Sequence, residues 1–196
     1  MILYIIHKVP LFRRLYFHRI GRPFVQKKIG PVLSNLKSGE TILDVGSGNG
    51  LVTFMIREKG YSVTPLDIHE GNYDASVKPI VYDGKVFPFA DKQFDTGIIL
   101  TVLHHIEKPE VVLQEAARVC NKLIIMEDIY ENNFQKRLTF FLDKLANMFY
   151  SPCPHTNKDD AAWKKTFAEM NIQLLSTHYR HVIFVVKQGI YVLKCR

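Results

Sequence analysis

At 196 residues, with 47% hydrophobic and 23% charged side chains, the chain has the make-up of one soluble domain with a sizeable core, and no apolar run approaches the ~20 residues of a membrane span. Three scattered cysteines, Cys120, Cys153 and Cys195, form no C-x-x-C pair. That excludes a disulfide framework and a cysteine zinc site, and suits a reducing, cytoplasmic setting. The net charge of +7 sits at one end: residues 1–39 hold Lys8, Arg13, Arg14, Arg19, Arg22, Lys27, Lys28 and Lys37 with no acid, leaving 18 basic against 19 acidic residues beyond.

Residues 1–38 read as a basic, aromatic helical arm and 39–196 as the domain proper. Met1 to Ile6 is apolar, but His7 and Lys8 cut it short, and a signal peptide would carry its charge ahead of a longer apolar core. Pro10 can open a helix on which Leu11, Phe12, Leu15 and Tyr16 share one face, with Arg13 and Arg14 elsewhere on the cylinder. Such an arm either packs on the domain as a lid or lies on an anionic membrane surface through residues 1–28, making the protein peripheral there. A nucleic-acid contact is the third reading. Gly30-Pro31 breaks the arm, and a short helix to about Leu36 leads into the core.

Thr41 to Val45 is a short, β-branched, apolar run and reads as a buried strand. Glycines at 46, 48 and 50 follow, then a helical pattern from Leu51 to Lys59. A strand, a glycine loop and a helix start let a ligand lie against bare backbone at the positive end of a helix. A dinucleotide fingerprint would need its third glycine at position 51, which is Leu51. Asp44 at the strand end is awkward beside a pyrophosphate and suits a ligand carrying an ammonium and a sulfonium.

Tyr61 to Leu66 reads as the second strand, closed by Asp67, an acid able to accept both hydroxyls of a ribose. Pro79 to Tyr82 is the third strand, followed by Asp83-Gly84; the polar stretch 69–78, with Gly71 and Asn72, leaves room for only a brief helix between the two. Phe94 to Leu100 is a nearly continuous apolar run, as a central parallel strand should be, and leads into Thr101-Val102-Leu103-His104-His105-Ile106. Pro109 to Val119 is an amphipathic helix, and Lys122 to Met126 a fifth strand ending in Glu127-Asp128. A helix from Asn132 to Phe149 carries Asp143 and Asn147 one turn apart, where they could face a substrate. Ser151-Pro152-Cys153-Pro154 is a loop, and Asp159 to Met170 a last helix containing Trp163. Ile172 to Ser176, His181 to Val186 and Ile190 to Lys194 are β-rich, with Gly189 either the turn of a closing pair or just past it.

The run Asp44 to Gly50, the linker Phe87-Pro88-Phe89-Ala90-Asp91-Lys92-Gln93-Phe94-Asp95 and the segment Leu103-His104-His105-Ile106 together resemble the class I S-adenosylmethionine-dependent methyltransferases. The style is that of the type 11, ubiquinone- and menaquinone-biosynthesis enzymes. Alternating strands and helices already indicate an α/β three-layer sandwich. The resemblance adds a Rossmann-like, seven-stranded, mainly parallel sheet in the order 3-2-1-4-5-7-6, its last strand inserted antiparallel. It implies S-adenosylmethionine as cofactor, held by Asp44, Gly46, Ser47, Gly48 and Gly50, by Asp67 and Ile68 along the ribose, by Asp83 and Gly84 at the adenine, and by backbone at Leu100 near the methionine end. His104, His105 and Asp128 are the candidate bases should the acceptor be a hydroxyl. A small-molecule or lipid-like acceptor fits this style. No metal cluster is evident. Nucleic acid is disfavoured by the near-neutral body and the absence of an N-P-P-Y-type tetrad, and a nicotinamide oxidoreductase by Leu51 and Asp44. A non-catalytic protein that keeps the binding loop remains the alternative.

Overall fold

A computed structural model describes residues 17–70, 76–138, 156–183 and 186–196. The first part of the arm, Gly71 and Asn72, Asp143, Asn147, the loop 151–154 and Cys153 lie outside the described residues.

A single wide helical turn at Phe17–Gly21 runs into α1, Arg22–Leu33. β1, Thr41–Val45, passes through the glycine loop into α2, Leu51–Arg57. β2 (Ser62–Asp67), a two-residue β3 (Ile80–Val81) and β4 (Phe94–Leu100) follow. After a short 3-10 turn at Leu103–His105 come α3 (Pro109–Val119) and β5 (Cys120–Ile129). α4 (Asp160–Glu169), β6 (Gln173–Ile183) and β7 (Val186–Lys194) complete the order.

The seven strands form one sheet in the order β3-β2-β1-β4-β5-β7-β6. The first five are parallel, and β7 runs antiparallel between β5 and β6. The expected topology is therefore observed. The strand edges differ from the sequence reading at the tail, where two β-rich runs merge into the single, irregularly paired β6. Gly189 is not a turn: it lies inside β7, paired with Glu127 on one side and Tyr179 on the other. A side chain there would collide with the ring of Tyr191, whose hydroxyl lies 2.4 Å from where a Cβ would stand.

Alternation along the strands builds the two cores. Ile42, Ile98, Leu100, Ile124 and Met126 point to one face, under Val25, Ile29 and Val32 of α1 and Leu51, Met55 and Ile56 of α2. Leu43, Val45, Ile99, Leu123 and Ile125 point to the other, under α3 and the Trp163–Phe167 stack of α4. The linker after β3 is held by Arg118 of α3, which donates to the carbonyls of Phe87 (3.1 Å) and Phe89 (2.9 Å) and pairs with Glu115, itself the acceptor of the Phe87 N–H. At the amino-terminal edge of the sheet, polar groups lock neighbouring strands. Asp95 accepts from the N–H and hydroxyl of Thr41, and Lys122 bridges Glu40 and the carbonyl of Asn35. The carboxyl-terminal edge is left to loops.

Gly97 shows how tightly the middle is filled: a Cβ there would stand 2.7 Å from Leu123 Cδ2 and 2.8 Å from Cys120 Sγ. Overpacking at such a point costs about 1–3 kcal/mol. Gly97→Val is expected to lower the unfolding free energy by that amount, read as a lower midpoint at unchanged slope in urea unfolding followed by circular dichroism.

Candidate functional site

The glycine loop is held from β2. The carbonyl of Leu66 accepts from the N–H groups of Gly46 (2.8 Å) and Ser47 (3.1 Å), and Asp67 Oδ2 accepts from Gly48 N–H at 2.7 Å. All three glycines adopt left-handed backbone, with φ of 69°, 56° and 79°. Two are also pressed by neighbours: a Cβ on Gly46 would meet Val102 at 2.5 Å, and one on Gly50 would meet Val77 at 2.7 Å. Gly48 differs: among the described residues outside its own chain neighbours, no atom lies within 4 Å of that position. It faces a cavity of about 500 Å³ lined by Gly46, Asp67, Ile68, Gly84, Thr101 and His105 among others.

The cavity crosses the carboxyl ends of β2, β1 and β4, where open α/β sheets bind ligands. Asp67 is half-buried in its wall, and its second oxygen accepts from His69 N–H at 3.0 Å. Ile68 and Gly84 line the cavity beside it and pack against each other, a Cβ on Gly84 standing 3.6 Å from Ile68 Cγ2. Asp83 lies next to Gly84 but is fully exposed, and its Oδ1 accepts from the N–H groups of Val86 and Lys85. These bonds hold its carboxyl below the usual carboxylate range. Ser47 is buried, and its hydroxyl has no hydrogen-bond partner among the described residues.

Asp44 is not part of the wall. It lies on the α2 side of β1, only 2% exposed, and accepts from the hydroxyl of Thr53 at 2.5 Å. Burial lifts its carboxyl to about 6, against the pull of that hydrogen bond and of Lys28. Leu100 is buried too, and offers its carbonyl to Lys28 Nζ at 2.9 Å. Lys28 also donates to Thr101 Oγ1 at 2.6 Å. Thr101 has a φ of 58°, a left-handed conformation that a β-branched residue rarely adopts. Its N–H donates to the Met126 carbonyl at 2.6 Å.

The two adjacent histidines separate. His105 lines the cavity, while His104 is 2% exposed behind it, with Nδ1 2.5 Å from Glu127 Oε2. Asp128, the third candidate base, does not line the cavity. It accepts from Gln188 at 2.7 Å, Gln188 accepts from Arg180, and Arg180 donates to the carbonyl of Lys27. Burial raises the Asp128 carboxyl above its ordinary range. Lys28 and Glu127 are the site residues that sequence reasoning passed over. For Glu127 a signal existed: strand alternation puts it on the same face as Leu123 and Ile125, beneath the histidines, and Asp128 on the opposite face.

A family model described as a methyltransferase domain matches residues 43–123. A demethylmenaquinone methyltransferase of Corynebacterium glutamicum is 34% identical over 89 residues, which cover 43% of this chain and 39% of that protein's own length. Over residues 43–123 the chain is similar to the S-adenosylmethionine-dependent methyltransferases, and it spans about two fifths of the length of the curated relative it matches. Among solved structures, a methyltransferase from Methanosarcina mazei superposes with a TM-score of 0.65 at 16% identity, covering 84% of this chain and 97% of that one. The [4+2]-cyclase SpnF superposes at 0.60 with 12% identity, covering 82% and 76%. At such identities these two show the fold alone. The class I cofactor, S-adenosylmethionine, fits what the site offers: an open glycine face at Gly48, an unpartnered hydroxyl at Ser47 and a wall acid at Asp67.

The raised Asp44 carboxyl has a thermodynamic signature. The folded state holds this proton more tightly than the unfolded chain, so the stabilising contribution is complete below about 4 and is lost as pH rises through about 6. Asp44→Asn keeps an acceptor for Thr53 and removes the buried charge. Its stability relative to the parent is expected to improve by about 1–3 kcal/mol between pH 4 and pH 8 in paired thermal or urea melts. An equal difference at both pH values would show that Asp44 titrates as an ordinary surface acid.

Proposed function

We propose that the protein transfers the methyl group of S-adenosylmethionine to a small-molecule or lipid-like acceptor. The observation that carries this reading is Gly48, whose bare backbone opens onto a cavity running from Asp67 to Thr101 and His105. When bound, the cofactor supplies a methyl group already activated on a sulfonium. Asp67 accepts from the ribose hydroxyls, with Ile68 and Gly84 against the adenine. Gly46 and Ser47 would hold the amino-acid end, with the backbone after Leu100 beside it. Such an enzyme mainly aligns the acceptor with the methyl group and excludes water. His105, in the wall, is placed to take a proton from a hydroxyl acceptor, whereas Asp128 and His104 sit too deep to touch one. The resemblance to a demethylmenaquinone methyltransferase supports an aromatic, isoprenoid-bearing acceptor as the first to assay.

Calorimetry tests the cofactor. S-adenosylhomocysteine is expected to bind in the micromolar range without competition from NAD. Gly48→Val, which fills the open face, should abolish binding while the fold survives. Asp67→Ala should weaken it by roughly 10- to 150-fold through loss of charge-assisted hydrogen bonds. Tight NAD binding, or a Gly48→Val variant with parental affinity, would overturn the reading. Methyl-transfer assays on quinone, lipid and small-molecule extracts then identify the acceptor.

The basic arm supports delivery to an anionic membrane surface. Ile20 and Phe24, one helical turn apart, are 58% and 54% exposed among Arg19 and Lys27. Among the described residues no helix is long and apolar enough to cross a membrane. Each basic residue near an anionic surface contributes about 1 kcal/mol, screened by salt. Co-sedimentation with anionic vesicles is expected at low salt, falling as salt rises and vanishing when Lys8, Arg13, Arg14 and Arg19 are replaced by glutamine, which leaves α1 and its buried Val25 intact. A full-length chain that ignores such vesicles would leave the arm as a packed lid.

A further inference from the structure

We propose that Glu127 and His104 form a buried positioning pair that sets the orientation and proton state of His105 at the cavity wall. The proposal rests on the methyltransferase reading and concerns transfer to an acceptor that must lose a proton.

Glu127 is fully buried and its carboxylate is shared between two tasks. Oε1 accepts from the consecutive N–H groups of Val102 (2.8 Å) and Leu103 (2.7 Å), and Oε2 meets His104 Nδ1 at 2.5 Å. The first two bonds shape the turn that carries both histidines. The third fixes one ring, since a carboxylate only accepts and so draws the His104 proton to Nδ1. The His105 ring rests on that ring, with centroids 4.0 Å apart and planes tilted by 44°. From the other side, Thr156 Oγ1 donates to the carbonyls of Leu103 (3.2 Å) and Ile106 (3.0 Å), bracing the same turn. His105 is thus backed by a held imidazole and fronted by the cavity.

Satisfying two backbone N–H groups would need only a neutral acceptor such as glutamine. A charged or strongly polar pair taken out of water is costly unless close geometry and further hydrogen bonds offset the loss, as the two N–H groups on Oε1 do here. Here the additional product is a defined proton on His104, directly against the ring that faces the ligand. Other charged groups act on the same ring. Glu107, from its own turn, and Asp67 and His69, from the loop after β2, share the cavity wall. Asp128 on β5 and Lys28 on α1 act through space on His104 and Glu127.

Histidine-selective 15N NMR of the full chain, without acceptor, reads the pair directly. In the parent, His104 is expected to carry its proton on Nδ1 across neutral pH. Glu127→Gln keeps an acceptor for the two N–H groups but turns an amide donor toward Nδ1. It should abolish that signature and move the His105 titration curve, while S-adenosylhomocysteine affinity stays within about twofold. His104→Asn keeps a donor toward Glu127 and removes the supporting ring, so it too should move the His105 curve. Once an acceptor is in hand, both variants should lower kcat by about 10- to 100-fold and displace the pH–rate profile with little change in KM. A parental His104 protonated only on Nε2 would overturn the proposal, as would a His105 curve unmoved in either folded variant. If Glu127→Gln fails to fold, His104→Asn alone decides. If the parent binds no S-adenosylhomocysteine, the methyltransferase reading fails while the spectra still report on the pair.

Discussion

The site depends on one constraint: five residues between β1 and α2 must turn back sharply, and their N–H groups must still find acceptors. The end of β2 supplies them. Leu66 offers its carbonyl to two N–H groups and Asp67 a carboxylate oxygen to a third. Parallel pairing brings this about, since Val45 lies opposite Leu66 in the register, so the end of one strand falls beside the start of the other's loop. The left-handed backbone at 46, 48 and 50 then follows, and with it the need for glycine. Asp67 closes the loop through one carboxylate oxygen, so the loop is held in shape by the chain itself.

Behind the cavity lie deeper charges. Glu127, Asp128, Lys28 and Arg180 converge near the ends of β4 and β5, none of them at a flexible tip. Lys28 ties the N-terminal helix to the Leu100 carbonyl, and Arg180 ties it to the β6–β7 edge through Lys27. The arm is therefore no loose appendage from α1 onward. Its described part is stitched to the strand ends that frame the cavity, and α1 buries Val25, Ile29 and Val32 against the sheet.

Much of this was legible in the residues. The nearly continuous apolar run Phe94 to Leu100 and the amphipathic period of Pro109 to Val119 are strong enough to give the observed bounds. The alternating glycines marked the loop and Asp67 its neighbour. What escaped was direction. Asp44 looked like a ligand group from its place in the motif, but one residue of strand alternation turns it toward Thr53 and away from the cavity. His104 and His105 looked equivalent, yet the 3-10 turn sends one inward to Glu127. Lys28 could not be seen, because nothing local in α1 encodes a partner 72 positions away. The tail misread for a related reason: β6 bends through register shifts near Leu174 and His181, which break its alternation into apparent fragments.

The insertion of β7 between β5 and β6 bears on how the chain assembles. Among the described residues β6 pairs with β7 alone, so it has no template on the sheet until β7 is in place. β7 in turn must reach β5 across some 60 residues of chain, as in the pairing of Asp128 with Gln188. Local closure is far less demanding in entropy than such distant pairing. The two strands are thus suited to join as a preformed hairpin that docks late, leaving β5 as a temporary open edge. The polar ties from Arg180 to Lys27 and from Gln188 to Asp128 need both strands in place, so they belong to that last step of assembly.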